Sequence, residues 1–269
     1  MTKVLVAGAA GKMGKRVGFM VNEHKDLKLV GGFETPGHPD IGKDIGEVGG
    51  YGTAGALIAD SLESVIDQAD VIIDFTFHEA TMRFAEIAAR HKTAMVIGTT
   101  GLSQDNLANL TSLSRNFPCV QSPNMAVGVN VLFKIAKKVA SILGDDYDIE
   151  IVEAHHRLKK DAPSGTALKL GEMVAAGVNR NLAEVGVYER HGMIGARTDK
   201  EIGIQTIRAG DIVGEHTVYF AGAGERLEIT HRAHTRDNFA KGAALAAAWV
   251  GNKPNGMYTM FDVLGLQDL

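Results

Sequence analysis

Short apolar runs alternate with longer amphipathic segments through the first half of the chain. The runs are rich in Val and Ile, as buried strands are, and the longer segments repeat apolar residues at the spacing of one helix face. Strands are predicted over residues 4–7, 27–33, 71–75, 94–98 and 118–121. Helices are predicted over residues 13–22, 61–68, 79–91 and 104–115. This alternation predicts a parallel sheet with helices on both faces, and right-handed crossovers make it a Rossmann-like, doubly wound α/β fold.

The pattern changes near residue 126, after which helices and alternating strand-like stretches are mixed. Helices are predicted over residues 131–143, 166–176 and 238–250. Strands are predicted over residues 149–153, 201–208, 212–220 and 226–231. We therefore expect one domain over residues 1–126, completed by residues 240–269. Residues 127–239 are expected to form an inserted, mostly antiparallel α+β domain.

A glycine-rich loop follows the first predicted strand and opens the first helix. Its residues are Gly8, Ala9, Ala10, Gly11, Lys12, Met13 and Gly14. Glycines at such a turn let backbone amides approach a pyrophosphate, and the helix N-terminus adds a favourable dipole. Glu34 ends the second strand 20 residues after Gly14, where a carboxylate can accept hydrogen bonds from ribose hydroxyls. The alternative is an ordinary turn with a solvated glutamate, because the spacing G-x-x-G-x-x-G differs from the usual dinucleotide fingerprint.

The residues beside Glu34 bear on which dinucleotide binds. Residues 35–38 are Thr-Pro-Gly-His, so no Arg or Lys directly follows Glu34 to receive a ribose phosphate. Lys12 is the cation that can reach this region. We therefore expect NADH to be the preferred cofactor and NADPH to be tolerated through Lys12.

Two later segments are also expected at the ligand-binding edge of the sheet, because ligands of doubly wound sheets lie beyond the carboxyl ends of the strands. These segments are Gly98, Thr99 and Thr100, and Ser122, Pro123, Asn124 and Met125. The stretch from Ser122 to Gly128 is our predicted hinge between the domains.

A cationic segment in the second half carries the most informative chemistry. Five of the six residues 155–160 are His, Lys or Arg, and we expect them in a loop between a strand and a helix. Asp161 or Ser164 can cap that helix, and the backbone amides of Gly165 and Thr166 can then hold a carboxylate. A nearby His or Lys can serve as a general acid. The alternative is a solvated basic loop without a ligand.

Composition and charge exclude several other classes. The net charge is -4 and the pI is about 6.2, which gives no general attraction to nucleic acid or to an anionic membrane. Cys119 is the single cysteine, so no intrachain disulfide forms, and a buried thiol fits a reducing cytoplasm. His155 and His156 are adjacent, and His231 and His234 have no further ligand nearby in sequence, so no metal site is expected.

Seven motifs follow one another along nearly the whole chain. They are G-A-A-G-K-M-G at 8–14, D-F-T at 74–76, G-T-T-G at 98–101, S-P-N-M at 122–125, E-A-H-H-R-L-K at 153–159, D-A-P-S-G-T-A at 161–167 and R-A-G-D-I-V-G-E-H at 208–216. In these motifs the sequence resembles the 4-hydroxy-tetrahydrodipicolinate reductase family, also called dihydrodipicolinate reductase. The resemblance implies NAD(P)H-dependent reduction of a cyclic dicarboxylate in diaminopimelate and lysine biosynthesis.

The resemblance also implies roles for individual residues. Residues 8–13 would hold the pyrophosphate, Glu34 the adenosine ribose, residues 98–100 the nicotinamide side, and residues 122–125 would close that side. His155 and Lys159 would be the proton-transfer residues. His156, Gly165 and Thr166 would bind the substrate carboxylates. The inserted domain would bind substrate and join four copies into a homotetramer.

Two departures from the family pattern weaken the case for NADPH. Many members carry a basic residue where this chain has Thr35, and many carry an arginine where it has Phe77. Another two-domain Rossmann dehydrogenase acting on an amino-acid-derived substrate remains the nearest alternative. A nucleotide-sensing regulator is a third interpretation, and it predicts a basic DNA-binding helix that the sequence lacks.

Overall fold

The computed structural model describes residues 1–269, which divide into two compact units. The first unit contains Met1–Val127 and Arg236–Gln267, and the second contains Gly128–Thr235 with Asp268–Leu269. No helix in either unit is both long enough and apolar enough to cross a membrane.

Twelve strands and nine α-helices make up the two units. The strands are β1 (Thr2–Ala7), β2 (Leu27–Phe33), β3 (Ile58–Ala59), β4 (Val71–Asp74), β5 (Ala94–Ile97), β6 (Pro118–Gln121), β7 (Asp148–His155), β8 (Gly186–Val187), β9 (Ile202–Arg208), β10 (Gly214–Gly222), β11 (Glu225–Ala233) and β12 (Gly256–Tyr258). The helices are α1 (Lys12–Asn22), α2 (Ile45–Gly49), α3 (His78–His91), α4 (Gln104–Leu113), α5 (Val127–Leu143), α6 (Gly165–Gly177), α7 (Leu182–Val185), α8 (Asp237–Val250) and α9 (Met260–Val263).

The first unit is built on a seven-stranded parallel sheet. Its strand order is β12-β6-β5-β4-β1-β2-β3, and every neighbouring pair is parallel. Strands β4 and β5 are buried at every residue, as the unbroken apolar runs predict for strands covered on both faces. One apolar cluster includes residues of α1 and α8, and another includes residues of α3 and α4. The predicted Rossmann-like, doubly wound fold is confirmed.

The second unit is built on a five-stranded sheet that is mixed rather than mostly antiparallel. The order is β11-β10-β7-β9-β8. Strand β10 runs antiparallel to β11 and β7, whereas β9 runs parallel to β7 and β8. The prediction of a mostly antiparallel sheet was therefore wrong for half of the pairings. The parallel pairing arises because the crossover through α6 and α7 carries the chain back across the sheet, so that β9 runs in the same direction as β7.

Several element boundaries also differ from the prediction. The helix expected over residues 61–68 is only a 3-10 turn, Ile66–Gln68. Helix α5 begins four residues earlier than expected, at Val127. His155 was expected in a loop, but it is the last residue of β7. It stays in the strand because β7 continues to pair with β9 as far as His155 and Arg208.

Candidate active site

The glycine-rich loop makes a tight turn between β1 and α1. Gly8 adopts a φ of +61°, a left-handed conformation that favours glycine. Its amide donates to the carbonyl of Phe33 at 3.0 Å, and the amide of Gly11 donates to the carbonyl of Gly8 at 2.9 Å. A Cβ at Gly14 would lie 2.0 Å from the Gly8 carbonyl oxygen. Only glycine therefore lets α1 begin so close to the turn.

The start of α1 is open to an anionic group. Gly11 is the N-cap residue and supplies no side-chain hydrogen bond, and the first turn contains no acidic residue. The first amides of the helix thus keep their donor capacity and the positive end of the helix dipole. This combination of open amides and missing side chains fits the pyrophosphate of a dinucleotide.

Glu34 is held against this loop by its own carboxylate. Its Oε1 accepts a hydrogen bond from the amide of Ala10 at 3.0 Å, and its Oε2 accepts one from the amide of Thr35 at 3.3 Å. Each carboxylate oxygen can accept further hydrogen bonds. The carboxylate is therefore fixed in orientation and can still receive sugar hydroxyls.

A cavity of about 600 Å³ lies beside the loop and Glu34. Several of its lining residues have no role predicted from the sequence, and they come from residues 60–63 and from one face of α3. The α3 residues are Ala80, Arg83, Phe84 and Ile87, and their i, i+3, i+4, i+7 spacing is the signal that would have grouped them. Phe77 also lines the cavity and is 76% exposed.

Asp74 organises the segments that follow β4 and β5. It is fully buried, and it accepts hydrogen bonds from the Thr76 amide and hydroxyl at 2.8 and 2.6 Å and from the Thr81 hydroxyl at 2.5 Å. Burial raises the pKa of Asp74, although these hydrogen bonds oppose the shift. Thr81 also bonds the hydroxyl of Thr99 at 3.0 Å. Thr99 is thus buried and fixed, whereas its neighbour Thr100 is exposed.

The segment after β6 is locked by its own side chains. The Ser122 hydroxyl donates to the carbonyl of Asn124 at 2.8 Å, and the Asn124 Oδ1 accepts from the amide of Ala126 at 2.9 Å. Ser122, Asn124 and Met125 are buried, and Pro123 is exposed. Since β5 and β6 are parallel neighbours in the sheet, residues 98–100 and 122–125 both lie at the edge formed by the carboxyl ends of the strands.

A buried carboxylate, Glu153, holds the catalytic candidate of the second unit. The Oε2 of Glu153 lies 2.6 Å from the Nδ1 of His155. Arg208 donates to both carboxylate oxygens at 2.8 Å, and the Ser164 amide donates to Oε1 at 2.9 Å. Burial alone would raise the pKa of Glu153, but the hydrogen bonds from His155, Arg208 and Ser164 outweigh it and hold the pKa well below its ordinary value.

Helix α6 begins directly beside this carboxylate. Of the two predicted capping residues, Ser164 is the one that caps the helix, with its hydroxyl accepting from the amide of Ala167 at 3.2 Å. Gly165 and Thr166 are the first two residues of α6, and its first turn has no acidic residue. Gly165 is exposed, so the positive end of α6 can receive a carboxylate from solvent.

Lys159 and His156 lie in the loop that leads to α6. The Nζ of Lys159 is 3.0 Å from Asp161 Oδ2, an ion pair that sequence analysis had not predicted. Both side chains remain partly exposed. The Nδ1 of His156 is buried without a hydrogen-bond partner.

A second buried histidine, His216, completes the cluster and was not singled out from the sequence. Its Nε2 lies 3.2 Å from the Ser164 hydroxyl, and its ring meets that of His155 edge-on at 5.2 Å between centroids. Burial, followed by the charge of His155, lowers the pKa of His216 to about 3. His216 is therefore a neutral side chain around pH 7.

Neither unit contains a group of three or more His, Cys, Asp or Glu side chains able to hold a metal ion. Cys119 is buried, as predicted. Burial raises the pKa of its thiol above the ordinary value, and a thiol in this state is not a nucleophile.

Two family models match successive parts of the chain. The model for dihydrodipicolinate reductase, N-terminus, matches residues 2–125, and the model for dihydrodipicolinate reductase, C-terminus, matches residues 128–264.

Similar proteins and structures carry the same description. A 4-hydroxy-tetrahydrodipicolinate reductase from Desulfotalea psychrophila is 70% identical over 269 residues, which are 100% of both chains. One from Syntrophus aciditrophicus is 57% identical over 99% of this chain and 100% of its own. The solved structure of a dipicolinate-bound dihydrodipicolinate reductase from Paenisporosarcina sp. TG-14 matches with a TM-score of 0.77 and 25% identity, covering 97% of this chain and 98% of that one.

Proposed function

This chain belongs to the dihydrodipicolinate reductase family, and from that premise we propose which of its residues carry the reaction. The enzyme is an oxidoreductase that reduces 4-hydroxy-tetrahydrodipicolinate to tetrahydrodipicolinate in diaminopimelate and lysine biosynthesis, with NAD(P)H as the reductant. The reaction takes up one hydride and one proton and releases one water. The residues to assign are those that hold the dinucleotide, those that anchor a dicarboxylate, and those that move the proton.

The first unit holds the dinucleotide in this proposal. Residues 8–13 bind the pyrophosphate, Glu34 binds the adenosine ribose, and residues 98–100 and 122–125 line the nicotinamide side. The open amides at the start of α1 and the oriented Glu34 carboxylate support these roles. When bound, the reduced nicotinamide supplies the hydride, because no amino-acid side chain can.

The second unit holds the substrate. The amides of Gly165 and Thr166 at the start of α6 receive one carboxylate of the substrate, and His156 contributes to binding the carboxylates. Support comes from the first turn of α6, which contains no acidic residue, and from the unpartnered Nδ1 of His156. An anion at such a helix start is stabilised by both hydrogen bonds and the dipole.

His155 and Lys159 are the proton-transfer residues of this proposal. The observation that carries it is the buried carboxylate that contacts both the His155 ring and the first residue before α6. His155 is thereby tied to the predicted carboxylate anchor. Because Nδ1 faces Glu153, Nε2 is the atom of His155 that can exchange a proton with substrate. Lys159 carries an ammonium group that can donate a proton when its pairing with Asp161 opens.

NADH consumption with freshly prepared 4-hydroxy-tetrahydrodipicolinate tests these assignments. His155→Gln is expected to lower kcat by about 10²-fold, because general acid–base catalysis contributes about that much, while KM for NADH stays nearly unchanged. Lys159→Ala is expected to lose most activity. Lys160→Ala, which removes the exposed neighbouring ammonium, is the matched control and should turn over like the unaltered enzyme. Near-normal kcat in His155→Gln would remove His155 from the mechanism.

NADH preference, a homotetramer and a cytoplasmic location belong to the same proposal. The absence of a cation directly after Glu34 supports NADH, and Lys12 in the same cavity supports tolerance of NADPH. None of the nine residues of β11, an end strand of its sheet, is buried, and Leu227 on it is 44% exposed. Such an edge is suited to association with other copies of the chain. Light scattering is expected to give the mass of four chains.

A further inference from the structure

Glu153 is hydrogen-bonded both to the proposed proton-transfer residue His155 and to Ser164 at the start of α6. It is 0% exposed, and its two oxygens accept hydrogen bonds from donors on separate elements. The donors are His155 on its own strand, Ser164 at the start of α6, and Arg208 and Thr206 on β9. From this geometry we propose that Glu153 is a positioning residue, which fixes the tautomer and orientation of the His155 ring for proton transfer.

The contact with His155 determines which ring nitrogen carries the movable proton. A carboxylate that lies 2.6 Å from Nδ1 accepts only from a protonated Nδ1, in both the neutral and the cationic imidazole. The proton that comes and goes is therefore the one at Nε2. A neighbouring carboxylate also stabilises the cationic ring that forms when Nε2 gains a proton.

Space beside Nε2 is kept open by the neighbouring strand. Gly214 on β10 lies next to the ring, and a Cβ there would be 3.1 Å from the Nε2 of His155. A side chain at that position would press on the ring. The ring is thus held on its Nδ1 side by Glu153 and left free of side-chain contact from Gly214 on its Nε2 side.

The other hydrogen bonds make the carboxylate a rigid support. Arg208 grips both oxygens, a bidentate geometry that restricts rotation of the carboxylate. The same guanidinium donates to the carbonyl of Asp161 at 2.6 Å. Glu153 therefore fixes the His155 ring and, through Ser164 and Arg208, the chain that leads into α6. A buried ion pair could serve stability alone, so the test must separate positioning from folding.

This inference rests on the proposed role of His155, and Glu153→Gln tests it. The amide keeps the shape of the carboxylate but loses its charge and cannot accept from all four donors. We expect kcat to fall by about 10²-fold, because the general acid–base contribution of His155 is lost. KM for NADH should change by less than about twofold. Glu150→Gln, the same exchange on the same strand at a residue paired with Arg190 and Arg197, is the matched control and should keep its kcat.

A double-mutant cycle with His155→Gln separates an effect through His155 from a general structural one. If Glu153 acts by positioning His155, Glu153→Gln should change kcat by less than about threefold in the His155→Gln background, because coupled residues are not additive. A full additional 10²-fold loss there, or a Glu153→Gln kcat equal to that of Glu150→Gln, would overturn the proposal.

Nuclear magnetic resonance of the unaltered enzyme with ¹⁵N-labelled histidine provides a test that needs no stable variant at 153. The His155 ring, assigned by its absence in His155→Gln, should show a protonated Nδ1 and a deprotonated Nε2 in its neutral form. The opposite tautomer would overturn the positioning role even if Glu153→Gln fails to fold. Because this readout is independent of turnover, it also distinguishes failure of this inference from failure of the proposed catalytic role of His155.

Discussion

Arg83 brings a second cation to the cavity that contains Glu34 and Lys12. The Glu34 carboxylate disfavours a phosphate on the ribose, whereas Lys12 and Arg83 favour one. We expect the balance between this one carboxylate and the two solvent-exposed cations to set the discrimination between NADH and NADPH. Since the carboxylate is held by the Ala10 amide and both cations are exposed, the balance should favour NADH.

Removing the cations should affect NADPH far more than NADH. Lys12→Gln and Arg83→Gln are each expected to lower kcat/KM for NADPH by up to about tenfold, the value of one charge-assisted hydrogen bond, and to leave kcat/KM for NADH within about twofold. Arg90→Gln removes an exposed guanidinium that lies on α3, as Arg83 does, but outside the cavity. It should leave kcat/KM for both dinucleotides unchanged. Steady-state kinetics with both dinucleotides measures this. A higher kcat/KM for NADPH than for NADH in the unaltered enzyme would contradict the preference itself.

At the scale of elements, apolar runs and long amphipathic segments could be predicted from the sequence, whereas several elements without either signal could not. Strands β2 and β6 have the predicted bounds, because each is a mostly buried run followed directly by turn-forming residues. Helix α2 and strands β3, β8 and β12 contain five residues or fewer, too short to show a period. The strand over 149–153 was predicted two residues short of His155 because its last pairing partners lie more than 50 residues away.

In the candidate site, residues identified by their sequence neighbours could be predicted, and residues whose roles depend on partners on other elements could not. The glycine loop, Glu34 and the cationic segment carry chemistry in their own sequence neighbourhood, so they could be identified there. Glu153 and His216 could not be given roles in this way, because their importance comes from partners such as Ser164 and Arg208 on other elements. Arg83 is an intermediate case, since helical spacing places it with Ala80 and Ile87 but does not show that this face borders a cavity.

Across the whole molecule, ionisable groups whose pKa changes on folding make stability depend on pH. Glu201 is held by Arg190 and then by Thr198, which together lower its pKa to about 2. This carboxylate, like Glu153, stabilises the folded chain above its unfolded pKa of about 4.3, and the stabilisation is lost as the pH falls through the folded value. Protonation of these carboxylates therefore lowers the free energy of unfolding below about pH 4. His216 has its effect at higher pH.

His216 should make the protein lose stability as the pH falls below about 6.5. The unfolded chain protonates this histidine near its ordinary pKa of 6.5, whereas burial keeps the folded side chain neutral down to a pKa of about 3. Between these values the unfolded state binds one more proton, so the free energy of unfolding falls by up to about 1.4 kcal/mol per pH unit. Urea unfolding at pH 5.0, 5.5 and 6.0 measures the slope.

His216→Gln should reduce that slope by up to about 1.4 kcal/mol per pH unit, the contribution of one proton, because glutamine does not titrate. Some slope should remain, since burial also lowers the pKa of His231. His191→Gln removes an exposed histidine of the same unit and should keep the slope of the unaltered protein. If His216→Gln and His191→Gln showed equal slopes between pH 5 and 6, the buried imidazole would have to be protonated in the folded state. Its ring beside His155 would then be a cation, contrary to the neutral side chain argued above from its burial.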